Sequence, residues 1–180
     1  MSISERFPEA IDKGKKREFP INEAYAHLKN FLNQSRISEG TISDVAERYV
    51  CGYPVPYFQR PLCWSESQMI SFIESAILGI DIGTYTIHEF DFDEKTSLPL
   101  RFSDWLIDGQ QRLYSLECYF LDKIKVLGFY WSELTKAEQR KFLNISFHQY
   151  TASIWDESEI IKLYNKLAFG GTPHKESERA

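Results

Sequence analysis

Three observations predict a single α+β domain. Stretches of apolar residues at helical spacing are interspersed with short strand-like runs. No repeat or low-complexity segment divides the chain. Its 180 residues, 43% hydrophobic and 26% charged, have the make-up of an ordinary globular protein. With 15% aromatics, such a chain buries a sizeable core without disulfide or metal staples.

The elements follow in order. Residues 1–20 are polar and aperiodic and read as an arm. Tyr25, Leu28, Phe31 and Leu32 then predict a helix over Ile21–Asn33. Residues 1–40 are thus expected to be an arm and helix ahead of a main domain at 41–180. Gly40 breaks the chain, and Thr41 or Ser43 is placed to cap a short helix through Tyr49. Three prolines (Pro54, Pro56 and Pro61) then force residues 52–61 into an extended path.

A well-signalled helix comes next. Ser65 and Gln68 have capping-box spacing, Met69, Phe72, Ile73, Ala76 and Ile77 form one apolar face, and Gly79 stands where the helix should end. A strand is predicted over Gly83–Phe90, then an acidic connection over Asp91–Pro99, then a second strand near Phe102–Ile107. Helical spacing resumes at Leu113, Leu116, Tyr119 and Phe120. Further helices are expected over Ser132–Leu143 and Glu157–Leu167, with a strand at Ile145–Tyr150 between them.

Charge and cysteine content narrow the function classes. A net charge of −5 provides no global basic field, so nucleic-acid contact would need a local patch. Lys13, Lys15, Lys16 and Arg17 are the densest basic run and read as a solvated tail. Three cysteines, irregularly spaced, suit neither a disulfide framework nor a zinc site. With no secretory leader and no apolar run of membrane-spanning length, a soluble cytoplasmic protein with no membrane partner is expected.

The chemistry concentrates at Asp108-Gly109-Gln110-Gln111-Arg112. A buried strand, Trp105-Leu106-Ile107, delivers the chain to a glycine, and a helix starts directly after it. Free N–H groups and the dipole at a helix N-terminus favour a bound anion. Gly109 allows a tight turn and close approach of a ligand. Gln110 and Gln111 offer amide donors, and Arg112 offers a planar fork suited to phosphate. Asp108 is open to three roles: helix cap, magnesium ligand or orienter of Arg112. The plainer alternative is a capped helix start with solvated glutamines.

Asp108-Gly109-Gln110-Gln111-Arg112-Leu113 resembles the DGQQRL signature of the GmrSD restriction endonuclease N-terminal domain family. Val55-Pro56-Tyr57-Phe58-Gln59-Arg60-Pro61 resembles that family's I-P-x-Y-Q-R-x segment, with Trp64 at its usual aromatic position. Gly170-Gly171-Thr172-Pro173-His174 resembles its N-x-G-G-T-P element. The likeness spans about Thr41 to His174. It implies a ParB/sulfiredoxin-like fold, a small mixed sheet with flanking helices. The G-E-R-R motif of ParB lines up with Gly109–Arg112, and its Q-P-R box lies where Gln59 and Arg60 fall.

By resemblance, Gln59, Arg60, Gly109, Gln110, Gln111 and Arg112 bind the phosphates of a nucleoside triphosphate, and Mg²⁺ enters with it. Asp108 is the candidate catalytic group for slow hydrolysis, and Tyr57, Gly171, Thr172 and His174 are further candidates for the pocket wall. The family couples such nucleotide use to restriction of modified foreign DNA, which makes DNA or a nuclease protein the expected partner. Ala168 replaces the family's asparagine, a departure that bears more on turnover than on binding. No nuclease activity is expected of this chain alone: the family's HNH domain is not matched, and His27, His88, His148 and His174 are scattered. The alternative is a non-enzymatic regulatory or interaction module that keeps the fold.

Elsewhere, His88, Glu89, Asp91 and Asp93 have metal-ligand character but read better as a strand end running into a solvated acidic loop. Trp64, Trp105, Trp131 and Trp155 are widely spaced and lack interleaved basic residues, so core packing is the expectation for them rather than a stacking platform.

Overall fold

The computed structural model describes residues 12–34, 46 and 48–169. Its first element lies within the expected arm, where Lys15–Arg17 form a short strand, β1, with all three side chains exposed. Basic residues suit that place, because charge protects a sheet edge from unwanted pairing. The first predicted helix forms as α1 (Ile21–Gln34), and it turns Ile21, Ala24 and Leu28 into the core. That core also holds residues from elements beyond position 46, so α1 is built into the domain.

The short helix expected through Tyr49 does not extend over Arg48 and Tyr49. Arg48–Val50 (β2) pair antiparallel with Tyr53–Val55 (β3) instead. Cys51 and Gly52 join them with φ of 50° and 84°. Positive φ at both turn positions matches the twist of a tight hairpin, and the hairpin therefore claims the residues that a helix would have used. Thr41 and Ser43, the suggested caps, lie outside the described residues.

Helix α2 (Glu66–Ile77) is capped as expected. The Ser65 hydroxyl accepts from the N–H of Gln68, whose side chain reaches back to the N–H of Ser65. Met69, Phe72, Ile73 and Ala76 are buried, whereas Ile77 at the end of the face is exposed. Gly79 follows with φ of 77°, a left-handed value at the predicted stop.

Strand β4 (Thr84–His88) precedes a short β5 (Leu106–Asp108). The second strand was expected to start at Phe102, but residues 101–104 turn instead, with Asp104 at φ of 59°. Helix α3 (Gln110–Phe120) begins one residue after β5. The helix expected over Ser132–Leu143 is divided into a 3-10 turn (Trp131–Glu133) and α4 (Lys136–Leu143). Thr135 restarts it by forming a capping box with Glu138. Strand β6 (His148–Ala152) and helix α5 (Glu157–Phe169) complete the described chain.

The four-stranded sheet has the order β1-β6-β4-β5. Its central pair, β6 and β4, runs parallel, and both outer pairs are antiparallel. The fold is therefore α+β, a small mixed sheet flanked by helices, with the β2–β3 hairpin as a second small sheet. Side chains from α1, α2, α3 and α4 share the main core with Tyr85, Ile87 and Leu106. Phe102, Trp105, Ile107 and Ala152 join Ile160, Leu163 and Tyr164 of α5 in a second core.

Leu106 and Ile107, adjacent on β5, thus enter different cores, as the period-two geometry of a strand requires. Each such fully buried side chain contributes about 1.5–3 kcal/mol. Cover on both sides explains why Thr86 and His88 are buried along with Tyr85 and Ile87. Trp105 and Trp131 are core residues, as expected, but Trp155 is exposed and Trp64 only half-buried.

Candidate functional site

Gly109 is the N-terminal cap of α3, with φ of 95° and no side-chain capping bond. Asp108 takes another of its three anticipated roles: its Oδ2 accepts from Arg112 Nη2 at 2.8 Å, one helical turn on. The N–H groups of Gln110, Gln111 and Arg112 open the helix and have no intrahelical acceptor. Glycine is demanded here by packing as well as by φ. A Cβ at position 109 would stand 2.6 Å from the Cβ of Tyr85 and 3.1 Å from its Cα.

The amides of Gln110 and Gln111, expected as donors to a ligand, each hydrogen-bond to the protein. Gln111 Oε1 accepts the N–H groups of Cys63 (3.1 Å) and Trp64 (3.2 Å), while its Nε2 donates to the carbonyl of Pro61. Gln110 Nε2 donates to the carbonyl of Arg60 at 2.9 Å. Both side chains are buried and tie the 60–64 segment to the start of α3.

Arg48, which sequence reasoning missed, completes this clamp. Its Nη2 donates to the carbonyl of Arg60 (2.7 Å) and to Gln110 Oε1 (2.8 Å). Nothing local marks it, since it lies 62 residues from Gln110 and arrives through the β2–β3 hairpin.

Gln59 is 7% exposed and locks the same segment to β5, its Nε2 donating to the carbonyls of Leu106 and Ile107. Its Oε1 is buried with no hydrogen-bond partner, and so is Arg112 Nε. The Arg60 N–H donates to the hydroxyl of Tyr164, while its side chain is exposed.

The result is one cleft of about 200 Å³. Gln59, Arg60 and Asp108–Arg112 line it, together with Trp64 and with Tyr164, Leu167 and Ala168 of α5. Two segments that are distant in sequence thus line a common space. Tyr57 is not among the lining residues and is 60% exposed beside Phe58. Its ring meets the edge of Phe58, which in turn packs against Trp105 and Tyr164. Gly171, Thr172 and His174 lie outside the described residues.

Behind the cleft, Glu117 of α3 accepts the N–H of Cys51 at 2.6 Å and so holds the hairpin turn against the helix. Burial pushes the Glu117 carboxyl above its ordinary value of 4.5, against the opposing pull of that hydrogen bond and of Lys123. Burial likewise raises Asp104 above 3.8.

His88 is fully buried, its ring nitrogens facing the carbonyls of Glu89 (2.8 Å) and Ile154 (2.5 Å). Glu89 and Asp91 are exposed, and Asp93 closes a local turn by accepting from the N–H groups of Lys95 and Thr96. Among the described residues, no group of three or more His, Cys, Asp or Glu is placed to hold a metal ion.

Fold and site define a small α+β domain with a polar cleft where a strand passes through a glycine into a helix. A family model for the GmrSD restriction endonuclease, N-terminal domain, matches residues 28–178. The chain belongs to that family, which is associated with restriction of modified DNA. No curated protein and no solved structure matches it. Among the described residues, no helix is long and apolar enough to cross a membrane.

Proposed function

We propose that this domain binds a nucleoside triphosphate in the cleft at the β5–α3 junction and serves a cytoplasmic system that restricts modified DNA. One observation carries the reading: the first turn of α3, with Arg112 and N–H groups that lack intrahelical acceptors, lines the same cleft as Arg60. Phosphate oxygens suit both, because a guanidinium fork and a helix N-terminus each favour a fixed anion.

The direct phosphate contacts fall to Arg112, Arg60 and the backbone of Gly109–Arg112. Gln110, Gln111 and Gln59 act by holding the walls. Among the described residues, Asp108 is the one carboxylate lining the cleft. A magnesium ion arriving with the nucleotide suits it, since that ion keeps most of its waters and uses one or two carboxylates.

Two features favour a regulatory binding module over an efficient hydrolase. Asp108 is committed to Arg112, so it is not a free base for a water molecule. Ala168 presents a methyl group to the cleft and cannot position one either. Titration calorimetry with each ribonucleoside triphosphate and Mg²⁺, paired with a phosphate-release assay, tests both points. Saturable binding that Arg112→Ala weakens about a hundredfold, with little phosphate release, is expected. Absence of binding, or unchanged binding by R112A, defeats the reading, and rapid release defeats the module form of it.

A further inference from the structure

The cleft at the β5–α3 junction does not end at Arg112. A second and larger one, about 650 Å³, runs along α2 and shares two wall residues with the first, Trp64 and Arg112. The Arg112 guanidinium reaches toward both. Its Nη2 is bound to Asp108 on the first cleft, and its Nη1 lies 3.3 Å from where a Cβ on Gly83 would stand, beside Asp81 and Ile82 of the second.

The two spaces differ in chemistry. The first has Arg60, Arg112 and the start of a helix, which suit phosphate. The second is lined by Gln68, Ser71, Ser75 and Asp81, with Trp64 at the junction, and among the described residues its one cation is the shared Arg112. Asp81 Oδ1 accepts the N–H of Gly83 at 2.8 Å, which fixes the carboxylate at the wall. A carboxylate repels phosphate but accepts hydrogen bonds from sugar hydroxyls, a use it has in other nucleotide folds. Trp64 lines both clefts, and stacking of a base on an aromatic side chain is worth about 1–3 kcal/mol whatever the base.

We propose that this second cleft is the nucleoside half of the same site, so that the ligand is a ribonucleotide lying across Arg112. The phosphates lie at the start of α3, the base lies on Trp64, and the ribose hydroxyls bind Asp81. This inference rests on the triphosphate reading above but fixes the ligand's direction and sugar.

Calorimetry with inorganic tripolyphosphate, the ribonucleoside triphosphates and their 2′-deoxy counterparts separates the two claims. Ser71 and Asp81 are both exposed, so substitutions there leave the core intact. Ser71→Leu, which fills the second cleft, is expected to weaken ribonucleotide binding about tenfold while tripolyphosphate titrates as before. Asp81→Asn is expected to remove most of the preference for ribo- over deoxynucleotide. If R112A weakens binding while S71L and D81N bind ribonucleotide like the parent, the phosphate site stands and the nucleoside cleft is overturned. If neither tripolyphosphate nor any nucleotide binds the intact protein, both fall.

Discussion

Asp108 and Arg112 form an ion pair across the first turn of α3, with Oδ2 and Nη2 2.8 Å apart and each side chain about a quarter exposed. The pair turns a carboxylate that would repel phosphate into a brace for the guanidinium that would attract it. Its intrinsic worth to stability is modest, about 1 kcal/mol or less. Its consequence for binding is larger, because an arginine held in one geometry loses less freedom on meeting a ligand. Asp108→Asn is expected to weaken triphosphate binding about tenfold, the loss of one charge-assisted contact. If Asp108 acts through Arg112, the double variant D108N/R112A binds no worse than R112A alone. A double-mutant cycle by calorimetry checks this, and additive losses would assign Asp108 a contact of its own.

Gly109 is the position at which the junction tolerates least. Its φ of 95° is one that other residues rarely adopt, and the space its missing Cβ leaves is closed by Tyr85 on β4. Gly109→Ala forces either β4 or α3 to move, at a cost of about 1–3 kcal/mol. Urea unfolding should show a lower midpoint with an unchanged slope. Gly79 makes a useful control, since a Cβ there meets nothing within 4 Å although its φ is also positive. Gly79→Ala is expected to cost less than G109A.

The sequence carried this junction openly, because its signals are local. A strand, a glycine and a helical apolar period within fifteen residues identify one another, and Ser65 with Gln68 announces α2 in the same way. The hairpin at Arg48–Val55 was hidden: its turn is Cys51-Gly52, and no pattern rule anticipates a cysteine at positive φ. The clamp was hidden for a different reason. Arg48, Gln110 and the carbonyl of Arg60 meet only through tertiary folding, and a glutamine that holds backbone reads the same in sequence as one that awaits a ligand. The edge strand β1 belongs with these, since its exposed Lys15–Arg17 have no periodicity and owe their conformation to pairing with Gln149–Thr151.

The clamp makes its own prediction. Gln111→Leu removes the acceptor for the N–H groups of Cys63 and Trp64 and the donor to Pro61. Part-buried N–H groups left without partners cost about 1–3 kcal/mol each. Native-state hydrogen exchange should show faster exchange at Cys63 and Trp64, with little change at Ile87 in the sheet. Arg48→Ala is expected to loosen the Arg60 side in the same manner. Unchanged exchange at Cys63 and Trp64 in Q111L would remove these glutamines from the wall of the site.

Glu117 supplies a pH dependence that can be read separately from any ligand. Burial raises its carboxyl above the ordinary 4.5, so over the interval between that value and the folded one the native state holds a proton that the unfolded chain has released. A native state that binds more protons loses stability as the pH rises, and the loss is complete once the folded group has ionised. Asp104 is raised by burial as well and contributes with the same sign, so the parent's profile alone cannot isolate Glu117. Glu117→Gln does isolate it, because the amide oxygen can still accept the N–H of Cys51 while the titration disappears. The variant should gain on the parent as pH rises from about pH 4 to about pH 8, with the gap widening until Glu117 is ionised in the folded parent. Urea unfolding at the two ends of that range measures it. A gap of equal size at both would mean that Glu117 contributes through packing and its bond to Cys51 alone. A gap that shrinks at high pH would mean that Lys123, 4.0 Å away, outweighs burial and holds the carboxylate charged.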